Sequence, residues 1–265
     1  MPASLLRQLR PPVTACLRGL DARHRERGFT LVEIAIALFI ITILLGSILV
    51  PLTAQVEQRQ VSETQKMLDD IKEALIGHAI AKGYLPCPDR TSGGAGTAND
   101  TANDGVEDYN TGTGVCFSTT LTGNVPWVTL GLGAMDPWGN RFRYRVVSAY
   151  AQRSPAALFN LSTTSNLTVT ATSGGTLLTA ASPDGAVAVI ISHGKNGYGA
   201  MNAITNTARP APTSVDELDN SAGGTSYTSR TITPVGSTAG EFDDIVNWIG
   251  KYTLFNRMVA AGKLP

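Results

Sequence analysis

One apolar run near the N-terminus constrains this chain more than anything else in it. From Phe29 to Val50 the only polar residues are Thr30, Glu33, Thr42 and Ser47. As a helix, a run of this length spans about 33 Å at roughly 1.5 Å per residue. That matches a hydrocarbon core of about 30 Å. A helix buried in a soluble core is the competing reading, but such helices are seldom apolar on every side for so long. The run therefore predicts a membrane span.

The flanks give the span a direction. Arg7, Arg10, Arg18, Arg23, Arg25 and Arg27 precede it and outweigh Asp21 and Glu26. An excess of arginine marks the side that stays in the cytoplasm, so the body that follows is exported. An ordinary secretory signal is cut at small residues after its apolar region. Here no such site stands out after the run, and the charges lead straight into Gly28.

Glu33 does not suit a span. An unpaired carboxylate in hydrocarbon costs roughly several kcal/mol. The helix dipole returns only about 0.3–1 kcal/mol near an N-terminus. The carboxylate needs a cationic partner, or it lies at the membrane interface as the end of a plain anchor.

The hexapeptide Gly28-Phe29-Thr30-Leu31-Val32-Glu33, followed at once by the apolar run, resembles the prepilin peptidase site of type IV pilins and type II secretion pseudopilins. The resemblance is strongest over residues 25–85. It implies cleavage after Gly28, N-methylation of Phe29, and a helix that stays attached and packs in a filament core. The amine freed on Phe29, with a reference pKa of about 7.7–8.0, becomes the partner for Glu33. In that family the amine belongs to a neighbouring subunit, so Glu33 sets the register of assembly.

The implied fold is α+β, a long N-terminal helix packed on an antiparallel β-sheet head with long loops. Its divisions are a cleaved leader at 1–28, a helix at 29–82 and a β-rich head at 83–265. The implied partners are other pilin or pseudopilin subunits, prepilin peptidase, an inner-membrane assembly platform and membrane lipid. The implied location is the inner membrane, single-pass with a periplasmic head, and then a pilus or pseudopilus filament. Analogy with the family favours a minor subunit over an abundant one, because of the long head. The alternative is a membrane-anchored periplasmic binding protein with an uncleaved signal anchor.

Beyond the run, Pro51 predicts a bend, after which helical spacing resumes. Val61, Thr64, Leu68, Ile71, Leu75 and Ala79 share one face, opposite Arg59, Glu63, Lys66, Asp70 and Glu73. Gly83 and Pro86 predict an end near Lys82.

In the head, Cys87 and Cys116 form an even pair once Cys16 leaves with the leader, and an exported head meets oxidising conditions that favour a disulfide. The bracketed loop carries Asp100, Asn103, Asp104, Glu107 and Asp108. These suit either a hard cation or plain solvation. The EF-hand pattern fails, because Ala102 sits where a ligand belongs and no glutamate closes the loop.

The segment DPWGNRFRYRV predicts a turn and a strand. Phe142, Tyr144 and Val146 form its apolar face, and Arg141, Arg143 and Arg145 a basic, wet one. Ala186–Ser192 reads as a buried strand entering an Asn196-Gly197 turn. Residues 203–240 read as one long loop. Asp243 or Asp244 would cap a helix bearing Ile245, Trp248, Tyr252, Phe255 and Val259.

The pattern Ser192-x-Gly194-x-Asn196-Gly197, with Asp244-Ile245-x-Asn247-Trp248, resembles the two halves of a calcium-holding turn in major pseudopilins. Asn196 stands where that family has an aspartate. The resemblance implies calcium on Ser192, Asn196, Asp243 and Asp244. His24, His78 and His193 are the only histidines, and no nucleophile motif, phosphate loop or zinc spacing appears. That argues against an enzyme. Zero net charge gives no general basis for nucleic-acid binding.

Overall fold

The computed structural model describes residues 28–94, 99–117 and 121–264, and for residues 47–52 the backbone alone. Residues 1–27 of the expected leader, Cys16 among them, lie outside the described residues. The chain divides into two compact units, Met1–Leu52 and Thr53–Pro265. A helix, α1, is assigned over Leu31–Lys82 and continues through Pro51.

In the first unit, apolar side chains stand exposed all round the helix, from Phe29, Leu31 and Val32 to Ile43, Leu44 and Leu45. The Thr42 hydroxyl donates to the Phe39 carbonyl at 2.8 Å. That satisfies its polar group within the helix, as an apolar setting requires. Among the described residues no helix is long and apolar enough to cross a membrane. The described side chains of this run stop at Gly46, whereas the predicted span continues to Val50.

In the second unit, Leu68, Ile71, Leu75, Ile76 and Ala79 of α1 are buried in the main core. The helix ends as the glycine signal requires. Gly83 adopts φ +90°, and its N–H donates to the Ala79 carbonyl at 2.7 Å.

A four-stranded antiparallel sheet faces this helix, in the order β3-β4-β6-β8. Its strands are β3 (Thr122–Asn124), β4 (Arg143–Val146), β6 (Ala186–Ser192) and β8 (Ile245–Gly250). Phe142, Tyr144 and Val146 lie in the core with Val187, Ala188 and Ile190 of β6. On the other face of the sheet a second cluster gathers Val189 and Ile191 with Leu167, Val169 and Tyr227. Burial on both faces explains why β6 reads as an unbroken apolar run. The short strands β5 (Thr168–Thr170) and β7 (Ser226–Thr228) pair in parallel. A further small pair, β1 (Tyr109–Asn110) and β2 (Val115–Cys116), is antiparallel.

Three expectations are overturned. The stretch from 203 to 240 is not one loop, because it holds α3 (Val215–Ser221) and β7. Ile245–Gly250 is a strand rather than the start of a helix. Its Ile-Val-Asn-Trp-Ile sequence is rich in β-branched and aromatic residues, and it pairs with β6 from Ala186↔Gly250 to Ser192↔Ile245. The helix α4 (Lys251–Ala260) begins only after Gly250, and it buries Leu254, Phe255 and Met258 while Tyr252 and Val259 stay exposed. Third, the arginine row that starts before β4 is largely covered, with Arg141 buried and Arg143 and Arg145 half-buried. Arg141 is 6% exposed, and its Nη2 donates to Asn206 Oδ1 at 2.7 Å. Arg143 Nη2 donates to the Ser221 carbonyl at 2.6 Å. The 199–209 and 221–227 segments cover a face that alternation alone assigned to solvent.

Candidate processing segment and cation centre

Gly28, Phe29 and Thr30 carry no regular secondary structure and are exposed, and α1 opens at Leu31. A Cβ placed on Gly28 would meet nothing within 4 Å. The described structure therefore leaves room for a side chain at this position.

Glu33 is turned back on the helix start. Its Oε2 accepts from the Thr30 N–H at 3.1 Å and from the Thr30 hydroxyl at 3.1 Å. In return the Glu33 N–H donates to Thr30 Oγ1 at 3.2 Å. This reciprocal pair is a capping box, written in the sequence as Thr-x-x-Glu. It gives Glu33 neutral donors without neutralising its charge.

In the head, Glu217, Asp243 and Asp244 bring carboxylate oxygens within 4.8 Å of one another. Two segments deliver them. Glu217 comes from the first turn of α3, and the two aspartates from the residues just before β8. The Asn196 turn ties them together. The Asn196 N–H donates to Asp243 Oδ2 at 2.7 Å, and its amide donates to Glu217 Oε1 at 3.2 Å. The Asp243 N–H donates to the same Glu217 oxygen at 3.0 Å. Asp244 accepts from the Asn220 amide at 2.8 Å and lies 3.2 Å from His193 Nδ1. The approach is close: a Cβ on Gly194, whose φ is +56°, would fall 2.3 Å from the Asp243 carbonyl oxygen.

The electrostatics are unfavourable as the trio stands. Burial, followed by the charges of Asp244, Glu217 and Glu241, pushes the Asp243 carboxyl up to about 7. Burial and Asp244 raise Glu217 as well. Asp243 Oδ1 is buried without a hydrogen-bond partner. Among the described residues no lysine or arginine pairs with any of the three. Three clustered oxygen ligands, one of them unpartnered, fit a hard cation such as calcium.

The expected ligand set changes in two places. Ser192 points elsewhere, its hydroxyl donating to Asp136 Oδ2 at 2.7 Å. Asn196 Oδ1 accepts the Tyr198 N–H at 2.9 Å, so this residue orients the carboxylates. Glu217 is the member that sequence reading missed. It sits in a stretch read as loop, and no local pattern links it to Asp243.

The other acidic cluster is closed by the protein's own groups. Cys87 and Cys116 are bonded, with Cα atoms 5.5 Å apart. Glu107 beneath them takes both guanidinium nitrogens of Arg153, at 2.7 and 2.6 Å, and the Cys87 N–H at 3.1 Å. The Arg153 guanidinium lies 3.6 Å from the Tyr109 ring centre and 4.4 Å from that of Tyr84. Asp100 pairs with Arg90, and Asp108 accepts the Arg90 N–H at 2.7 Å. Among the described residues Glu107, Asp100 and Asp108 are thus each met by a donor of the protein itself.

No curated protein and no solved structure matches the chain. Residues 23–49 match the family described as prokaryotic N-terminal methylation motif. That match covers Gly28, Phe29, the capping box and nearly all of the apolar run. The chain carries the hallmark of the prepilin-type signal found in type IV pilins and pseudopilins.

Proposed function

We propose that this chain is a structural, non-enzymatic subunit of a type IV pilus or a type II secretion pseudopilus. A prepilin peptidase cuts it after Gly28, and Phe29 becomes the methylated N-terminus. The observation that carries this reading is the methylation motif at residues 23–49, joined to an exposed Gly28–Thr30 segment that the helix leaves accessible. Residues 1–28 form the leader, 29–82 the assembly helix and 83–265 the exported head. Before assembly the helix anchors the protein in the inner membrane, and the head lies in the periplasm. Its partners are prepilin peptidase, the assembly platform and other subunits. In a filament Glu33 exchanges the Thr30 hydroxyl for the amine of a neighbouring subunit, which neutralises its charge.

Expression with and without a prepilin peptidase tests the reading. The chain should shorten by its leader only when the peptidase is present. A chain of unchanged length would favour an uncleaved anchor carrying a periplasmic binding protein.

A second reading, also our own, concerns the head. Glu217, Asp243 and Asp244 hold one calcium ion, positioned by Asn196. The unpartnered Asp243 oxygen supports it. Binding at 100 times Kd stabilises by about 2.7 kcal/mol, or roughly 5–10 °C for a chain of this size. Asp243→Asn should lose that shift, and an equal shift in the variant would contradict the assignment.

A further inference from the structure

Neither site uses Arg143 of β4 or Arg141 just before it, and their surroundings are unusual. Arg141 and Arg143 line one pocket of about 100 Å³, together with Thr91, Asn124, Ala200 and Met201. No acidic residue lines it, and among the described residues no carboxylate lies within 4 Å of either guanidinium. Arg141 is 94% buried by its 6% exposure, yet its Nε and Nη1 have no hydrogen-bond partner. The Nε of Arg143 is in the same condition.

The partners these side chains do have are neutral. Arg141 Nη2 donates to Asn206 Oδ1 and the Ala203 carbonyl, and its guanidinium lies 3.9 Å from the Trp127 ring centre. Arg143 Nη2 donates to the Ser221 carbonyl. Carbonyls and a ring face satisfy donors without supplying a negative charge. The acidic groups that act on the pair do so from a distance, Asp89 on Arg141 and Asp244 on Arg143. Asp89 is itself lifted to about 7 by burial. Burial lowers both arginines, as desolvation does to any buried cation.

We propose that this pocket binds one small oxyanion, a phosphate or a carboxylate group, between Arg141 and Arg143. The planar guanidinium fork matches both groups, and an ionic acceptor makes the stronger hydrogen bond. The volume is several times the roughly 10–15 Å³ that one water needs, which suits a single phosphate-sized group. The occupant is either a free anion or the carboxylate of an acidic side chain from another protein. The proposal does not depend on the N-terminal reading.

Titration calorimetry of the full chain in detergent tests it, with inorganic phosphate and acetate as probes and chloride at matched ionic strength as control. Saturable phosphate binding is expected. Arg143→Gln should weaken it at least tenfold, whereas Arg257→Gln, at an exposed pair with Glu73, should leave it unchanged. Acetate that displaces phosphate would point to a carboxylate occupant, and acetate that does not would point to free phosphate. If Arg143→Gln fails to fold, the wild-type titration still decides. No heat beyond the chloride control overturns the proposal, as does undiminished binding by a folded Arg143→Gln protein.

Discussion

Among the described residues neither Glu33 nor the Glu217–Asp243–Asp244 trio pairs with a lysine or arginine, yet they stand in opposite situations. Glu33 is exposed and capped by Thr30, so it costs little where water is present. Its need for a counter-charge arises only when the helix enters lipid or a filament. The trio is strained already in the folded head, because three buried or half-buried carboxylates crowd together and Asp243 is pushed up to about 7. On the proposed function the first carboxylate serves assembly, and the second cluster holds an ion. Glu107 supplies the reference for both, since Arg153 meets it with two hydrogen bonds and no outside charge is required.

The largest expected effect removes that internal cation. Arg153→Met leaves Glu107 buried and uncompensated, which should cost about 3–5 kcal/mol. Chemical denaturation would measure it. A loss as small as that of a surface pair would mean that Glu107 is no better served than the trio. Glu33→Ala should come next. Export and cleavage should persist, while incorporation into a filament, scored by co-purification with other subunits, should fall sharply. Normal incorporation would place Glu33 with the ordinary caps.

A further effect concerns pH. The Asp243 carboxyl binds its proton more tightly folded than unfolded, since its folded value is about 7 against roughly 3.9 for a free aspartate. Its contribution to stability is thus complete below about pH 4 and is lost as pH rises towards 7. Without calcium, Asp243→Asn should gain stability relative to wild type between pH 4.5 and 8, as read by thermal melts. With calcium the order should reverse at pH 8. A pH-independent difference would remove the crowding argument.

The two regions also differ in how much the sequence discloses. The N-terminal segment is written in consecutive residues. Gly28, Phe29, Glu33 and the apolar run fall within one short window, and the Thr30-x-x-Glu33 cap was open to the same reading. The buried β6 strand and the α1 face of Leu68, Ile71 and Leu75 follow from the apolar pattern, whereas the α+β class comes from the resemblance to pilins. The head site is different because tertiary pairing builds it. Asp243 and Asn196 are 47 residues apart, and Glu217 reaches them only because α3 forms inside a stretch with few apolar anchors. Arg141 and Arg143 looked solvated for the same reason. Alternation shows which residues share a face, but not whether a distant loop will cover it. Ile245–Gly250 was misread because Ile, Trp and Phe at these spacings fit a helix until β6 offers a partner.

The central claim is that the chain is made to be cut and then assembled. Mass spectrometry of the mature N-terminus, on protein from cells that hold an active prepilin peptidase, tests it most directly. The account predicts a chain that begins at Phe29 and carries a methyl group on its α-amine. An intact leader, with Gly28 still joined to Phe29, would contradict it.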